Sequence, residues 1–365
     1  MDKNLSKKDP IKVLDLSSLV RENLRKFTPY SSARNEFTGE AVIFLDANEN
    51  SLGSPLTQAY HLYPDPLQKQ LKQKISEIKG IPSAQIFLGN GSDEVIDLLY
   101  RIFCHPGLDH VILCPPTYGM YEVSAQINGI DVVKIPLKPN YQLNTQAILS
   151  ATSPHSRMIF LCSPNNPTGN DFRPEDLEKV LKNFPGIVLV DEAYIDFSDK
   201  KSLSEKLDQY PNLIVMQTLS KAWGLAGLRI GMAFTSEEIV EWMNKIKPPY
   251  NISQAAQTLA LEALDQQILF NQRVKIILEE REKLAKALTR ISIVKQVYPS
   301  VANFLLIKTT AAREIYHYLI KKGIVVRDRS RVMLCEGCLR ITIGKVEENQ
   351  HLIEALQGFQ NDETV

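Results

Sequence analysis

The chain has 365 residues, with 42 Lys plus Arg against 42 Asp plus Glu and so no net formal charge. That length supports a large core and two domains, and the charge balance excludes the basic surplus that a general nucleic-acid or membrane-surface binder needs. No apolar run approaches the ~20 residues of a membrane span, and the start, M-D-K-N-L-S-K-K-D-P, lacks a signal peptide's apolar core, so a cytoplasmic location is expected.

Residues 1 to about 40 are polar apart from an apolar patch at 11–19, and read as an arm or a first helix. Leu67, Leu71, Ile75 and Ile78 then recur at helical spacing, with Gly80 as a stop. A short strand is expected at 85–88, and Ser92 can cap a following helix carrying Val95, Leu98, Leu99, Ile102 and Phe103. Apolar runs follow at 111–114, 158–162, 187–190 and 213–216. Each is nearly continuous, as in strands buried on both faces of a parallel sheet, and helical stretches such as 174–181 separate several of them, which is an α/β pattern. After Pro248 and Pro249 come a long amphipathic helix at 268–288, a strand at 302–307, a helix at 312–322, a strand at 339–343 and a closing helix at 347–359. The expected division is an arm over 1–44 that packs with the small domain, a large domain over 45–262 and a small C-terminal domain over 263–365.

Five scattered cysteines do not read as a disulfide framework. Cys335 and Cys338 form C-E-G-C, but a strand pattern follows where a redox pair wants a helix, and no second ligand pair exists for zinc; the spacing is read as coincidental and no metal site is expected. The six histidines show no ligand spacing, and His105 and His110 are read as surface residues flanking a turn.

The chemistry concentrates in four segments. T-L-S-K-A-W-G-L-A-G-L-R-I-G at 218–231 sets Lys221 among small and apolar residues. Partial desolvation there lowers a lysine's pKa and frees the amine to attack a carbonyl, while Ser220 and Arg229 suit a phosphate. An amine nucleophile beside a phosphate site points to pyridoxal phosphate. L-G-N-G-S-D-E at 88–94, between a strand and a helix, offers Gly91, Ser92 and Asp93 as backbone contacts to an anion, with an ordinary capped turn as the competing reading. S-P-N-N-P-T-G at 163–169 holds Asn166 away from the helical region before Pro167 and can aim its amide from a strand end; a plain turn uses the same residues. V-L-V-D-E-A-Y-I-D-F at 188–197 ends a buried strand on Asp191, costly for a carboxylate without a cation, and a protonated pyridine nitrogen is such a cation; a helix N-cap is the competing reading. Tyr194 follows as a donor or a core aromatic, and Tyr118 after Pro115–Pro116 as a stacking platform or a packed ring.

In that order and at those separations, G-N-G-S-D-E, S-P-N-N-P-T-G, V-D-E-A-Y and T-L-S-K-A-W-G-L-A-G-L-R resemble fold-type-I pyridoxal-phosphate aminotransferases. The resemblance spans nearly the whole chain. It narrows to the histidinol-phosphate aminotransferase family on L-D-A-N-E-N at 45–50, L-Y-P-D-P at 62–66, V-R-D-R at 326–329 and G-C-L-R-I-T-I-G at 337–344. It implies a mainly parallel seven-stranded sheet sandwiched by helices, plus a smaller α+β domain. It also implies that Lys221 bonds the cofactor, Asp191 pairs with the ring nitrogen, Asn166 and Tyr194 bind the ring oxygen, and Tyr118 stacks. By the same resemblance, Gly91, Ser92 and Asp93 with Thr218, Ser220 and Arg229 would hold the phosphate. It further implies that Tyr63 would reach the partner subunit's phosphate in a homodimer with shared sites, and that Arg340, with Arg327, Tyr30 and Asn48, would meet the substrate. The implied reaction is amino transfer between L-histidinol phosphate and 2-oxoglutarate, giving glutamate; an aromatic amino acid aminotransferase and a phospho-amino-acid decarboxylase are the alternatives. Leu62 replaces a residue that relatives often keep basic, and Trp223 is bulkier than the usual Phe or Tyr.

Overall fold

The nearly continuous apolar runs become the central strands of a seven-stranded sheet in a computed structural model, which describes residues 15–29, 43 and 45–362. Its strands are β1 (Ile86–Asn90), β2 (His110–Leu113), β3 (Asp131–Lys134), β4 (Ser156–Cys162), β5 (Ile187–Asp191), β6 (Leu213–Thr218) and β7 (Ile230–Phe234), in the order β1-β7-β6-β5-β4-β2-β3. The pairs among β3, β2, β4, β5 and β6 are parallel, and β7 runs against both β6 and β1. Side chains alternate between two cores. Ile159, Leu161, Val188, Val190, Leu213 and Val215 enter one, while Met158, Phe160, Ile187, Leu189, Ile214 and Met216 enter the other. Two-faced burial is why these strands show no alternation of polar and apolar residues.

A second, antiparallel sheet holds β8 (Val294–Val297), β9 (Phe304–Thr309), β10 (Arg327–Asp328) and β11 (Cys338–Thr342) in the order β10-β11-β9-β8. The helices Ala312–Lys321 and Val346–Asp362 and the end of the 22-residue helix Gln267–Leu288 share its core, through Ile315, Leu352, Leu356, Leu284 and Leu288. The two layers meet along a seam of Tyr194, Phe197, Ala222, Val274, Ala302 and Phe304. Trp223 joins them too: its ring stacks on Phe270 of the long helix at 4.1 Å and 18°. No helix among the described residues is long and apolar enough to cross a membrane.

Several expectations need correction. Ser92 is the first residue of the helix Ser92–Phe103 and Gly91 is its cap, at φ 82°, a left-handed value that favours glycine. The first full helix is Lys69–Lys79, so Leu67 precedes it, although Gly80 ends it as expected. The arm segment 15–29 was expected against the small domain. Instead Leu16, Leu19 and Val20 bury with Phe87, Val95 and Phe103, and the Arg21 N–H donates to the Ile102 carbonyl at 2.8 Å. Its apolar face is thus satisfied by the large-sheet layer. His105 and His110 are half-buried, with His110 Nε2 2.6 Å from Ser156 Oγ. The C-E-G-C turn leads into β11 as read, with both thiols free and buried.

Candidate active site

Four chemistry-bearing segments leave the carboxyl ends of parallel strands: Tyr118 after β2, Asn166 after β4, Asp191 ending β5, and Thr218 to Lys221 after β6. In an open α/β sheet that edge is where ligands bind. Strand register sets the spacing. Cys162 stands opposite Asp191, Asp191 opposite Met216, and Thr218 opposite Gly231, which in turn stands opposite Gly89.

Asp191 is 4% exposed. Its Oδ2 accepts the Tyr121 O–H at 2.5 Å and its Oδ1 the Ala193 N–H at 3.0 Å. Burial pushes its pKa up to about 6; Tyr121 is the first of the groups that oppose the rise, followed by the Ala193 N–H and Lys221. Tyr118 crosses Tyr121 edge-on at 5.4 Å and donates to Asp93 Oδ1 at 3.3 Å.

Asn166 links the layers. Its Nδ2 donates to Tyr194 Oη at 3.3 Å, and its Oδ1 accepts from Arg340 Nη1 at 2.5 Å. Arg340 comes from β11 of the small sheet and lies over the Phe304 ring at 5.3 Å. Arg327 faces it directly in the β10–β11 register, so the two guanidinium side chains leave one face of the sheet.

Lys221 is exposed, with Nζ 5.6 Å from the centre of the Tyr194 ring. Although solvent reaches the side chain, partial burial of the amine lowers its pKa, and Arg340 adds repulsion. Beside it, Thr218 Oγ1 accepts the Ser220 N–H at 3.1 Å and donates to the Ile230 carbonyl at 3.1 Å. Arg229, at φ 55°, points to Asp93, with Nη2 3.5 Å from Oδ2. A Cβ at Gly91 would stand 2.5 Å from Arg229 Nη2, and one at Gly231 would stand 2.4 Å from the Ser92 nitrogen. The two glycines let β7, the guanidinium and the start of the Ser92–Phe103 helix close into a cradle. The first N–H groups of that helix have no intrahelical acceptor and suit an anion.

Tyr63 is 49% exposed and stacks on Tyr250 at 4.5 Å. Lys247 fastens both flanks: its ammonium donates to the carbonyls of Pro66 (2.8 Å), Pro248 (3.2 Å) and Pro249 (2.8 Å). Asn48 is exposed at φ 55°. Tyr30 lies outside the described residues.

The profile of the family described as "Aminotransferase class I and II" matches residues 34–356. The chain belongs to that family. A histidinol-phosphate aminotransferase of Parabacteroides distasonis is 51% identical over 346 residues, covering 95% of this chain and 99% of that protein. One of Cytophaga hutchinsonii is 49% identical over 344 residues, covering 94% and 99%. Among solved structures, the histidinol-phosphate aminotransferase of Sinorhizobium meliloti in complex with pyridoxal-5′-phosphate shares the fold. Its TM-score is 0.78 at 24% identity, covering 87% of this chain and 90% of that one.

Three residues at the site of this aminotransferase escaped the sequence reading. Tyr121 sits inside the helix Met120–Ile127 and looks like a core aromatic. Glu94 Oε2 accepts the Asn90 N–H at 2.5 Å and the Asn251 amide at 2.8 Å, bracing the G-N-G-S turn from 157 residues away. The short E-following-D-following-S pattern of that turn was a usable signal for Glu94; nothing local marks Asn251 or Tyr121.

Proposed function

We propose that this aminotransferase moves the amino group of L-histidinol phosphate to 2-oxoglutarate, giving imidazole acetol phosphate and L-glutamate, with pyridoxal phosphate as cofactor, in histidine biosynthesis in the cytoplasm. The observation that carries the reading is the meeting, at one sheet edge, of a partly desolvated amine (Lys221), a buried carboxylate with no cation in contact among the described residues (Asp191) and a glycine-lined anion cradle (Gly91, Ser92, Arg229). An aldehyde, a ring cation and a phosphate on one small molecule fit those three features together. Bound there, pyridoxal phosphate supplies an electrophilic carbon for the amine and a cationic ring that draws electrons from it.

The chain's own residues then divide the work. Asp191 holds the ring nitrogen's proton, and Asn166 and Tyr194 hold the ring oxygen. The N–H groups of Ser92 and Asp93, the hydroxyls of Thr218 and Ser220 and the Arg229 fork hold the phosphate, and Tyr118 covers the ring face. Lys221 serves as base and acid at the substrate carbon that bears the amine; its lowered pKa leaves more of it as free amine near neutrality. Arg340 and Arg327 take the substrate's phosphate in one half of the cycle and a carboxylate in the other, since a guanidinium fork fits both. Tyr30 and Asn48 complete that end. Tyr63 points outward, and in this reading it completes the partner's phosphate site within a homodimer.

The test is a half-reaction screen. Purified protein loaded with pyridoxal phosphate is mixed with histidinol phosphate, phenylalanine, tyrosine or threonine phosphate while the cofactor spectrum is followed. Histidinol phosphate is expected to convert the spectrum fastest. A faster aromatic amino acid, or release of carbon dioxide from threonine phosphate, would replace the substrate assignment.

A further inference from the structure

We infer that Tyr121 is the positioning residue of the Asp191 carboxylate, holding it ionised and aimed at the cation it pairs with. The inference rests on the cofactor reading, because that cation is the protonated ring nitrogen. Tyr121 is 0% exposed, and its phenol hydrogen goes to Asp191 Oδ2 at 2.5 Å. With the Ala193 N–H on Oδ1, both carboxylate oxygens are tied and the carboxylate plane is fixed.

The phenol cannot swing away. Its ring stacks on Phe160 at 4.9 Å and 25° and meets Tyr118 edge-on at 5.4 Å. Its own carbonyl accepts the Tyr100 O–H at 2.8 Å, and Tyr100 in turn stacks on Phe160 at 5.4 Å. Burial and the adjacent carboxylate keep the phenol protonated, so it is always a donor. A residue needed for packing alone would require only the ring.

The charged and titratable groups around Asp191 are Cys162 at the end of β4, Lys221 after β6, Asp93 in the helix after β1, Tyr118 after β2, Tyr194 after β5, and Tyr121. Cys162 is a buried thiol held neutral by desolvation, and Asp93 disfavours the Asp191 charge. Lys221 favours it, but at catalysis its amine is engaged elsewhere. Among the described residues the phenol is the donor side chain hydrogen-bonded to the carboxylate, and the proposed reaction draws on it for nothing else.

The probe is pyridoxamine 5′-phosphate, which binds without a covalent link, so its dissociation constant reads the ring contacts directly. Binding needs ionised Asp191 and falls as the pH drops through the carboxyl's pKa. Removing the phenol hydrogen bond raises that pKa. In Tyr121→Phe the acid limb of the binding curve is expected to move up by about one pH unit, so that affinity falls about tenfold at pH 5 and about twofold at pH 7. Tyr100→Phe, which loses a neighbouring buried hydroxyl that bonds only backbone, is expected to keep the limb at its wild-type position. Unchanged binding in Tyr121→Phe, or a uniform weakening with an unmoved limb, would overturn the inference. Failure of the wild-type protein to bind the probe at all would overturn the cofactor reading first, before any variant is compared.

Discussion

Asp191 and Lys221 are perturbed in opposite directions by one cause: loss of water favours the uncharged form of each. For the lysine this is useful, since a base must shed its proton. Lys221→Ala is expected to lose at least ~10³-fold in turnover, together with the visible absorption of a lysine-linked cofactor, as stopped-flow and steady-state assays would show. Arg340→Gln is expected to raise KM for the phosphorylated substrate by about tenfold or more, the value of a charge-assisted contact, with a smaller effect on kcat. A separate residue shows how burial feeds into stability. Lys72 is 7% exposed, and its pKa is lowered to about 8 by burial and by Lys247. Below pH 8 both folded and unfolded chains carry that charge, and the folded chain bears the full desolvation cost. Between pH 8 and 10.5 only the unfolded chain stays protonated, so this group's contribution makes stability rise with pH. Lys72→Met is therefore expected to stabilise the protein by up to about 3 kcal/mol at pH 7, a gain that urea titrations should find shrinking toward pH 10.5.

At the level of single elements, β7 explains both a success and a gap in what the sequence discloses. Its residues close the lysine motif, so the segment was noticed as chemistry, yet the strand and its reversed direction were not anticipated. An apolar run buried on both faces says nothing about direction, which depends on the chain before it; here the short loop 219–229 folds back beside β6. The strands β3, β8 and β10 went unseen for a related reason: each is four residues or fewer, too short for a periodicity. The cap at Gly91 was misassigned to Ser92 because serine is the commoner cap; the demand for a positive φ there comes from Arg229 and β7, which are far along the chain. Gly231→Ala is a direct test of that crowding. Its Cβ would meet backbone, not a flexible side chain, so a loss of about 1–3 kcal/mol is expected in denaturant midpoints, with weaker phosphate-dependent cofactor binding as the helix start is displaced.

Across the whole molecule, most of the motifs were readable because their chemistry-bearing residues travel with glycine, proline or serine at a strand end, while Asp191 was readable as a carboxylate closing an apolar strand. The supports were not readable, because Tyr121 and Asn251 reach their partners across 70 and 157 residues. Tyr63 belongs to this scale as well. It faces outward on a platform of Tyr250 clamped by Lys247, in a segment whose Leu52, Leu56 and Leu62 are also exposed. In the proposed homodimer, light scattering is expected to give twice the 41.2 kDa chain mass. Mixing Lys221→Ala with Tyr63→Ala protein is expected to recover more activity than the two give separately, because one composite site then holds both native residues. A lone-chain mass, or strictly additive activities, would end the shared-site reading.

The bond between Asn166 and Arg340 bridges the large sheet and the small one. An anion arriving at Arg340 finds one donor of the fork already occupied by a neutral amide from the opposite wall. A doubly charged phosphate ester can supplant that amide far more readily than a weakly polar side chain can. On the proposed reading, the latch would set a threshold that screens visitors by charge before any bond to them is made or broken.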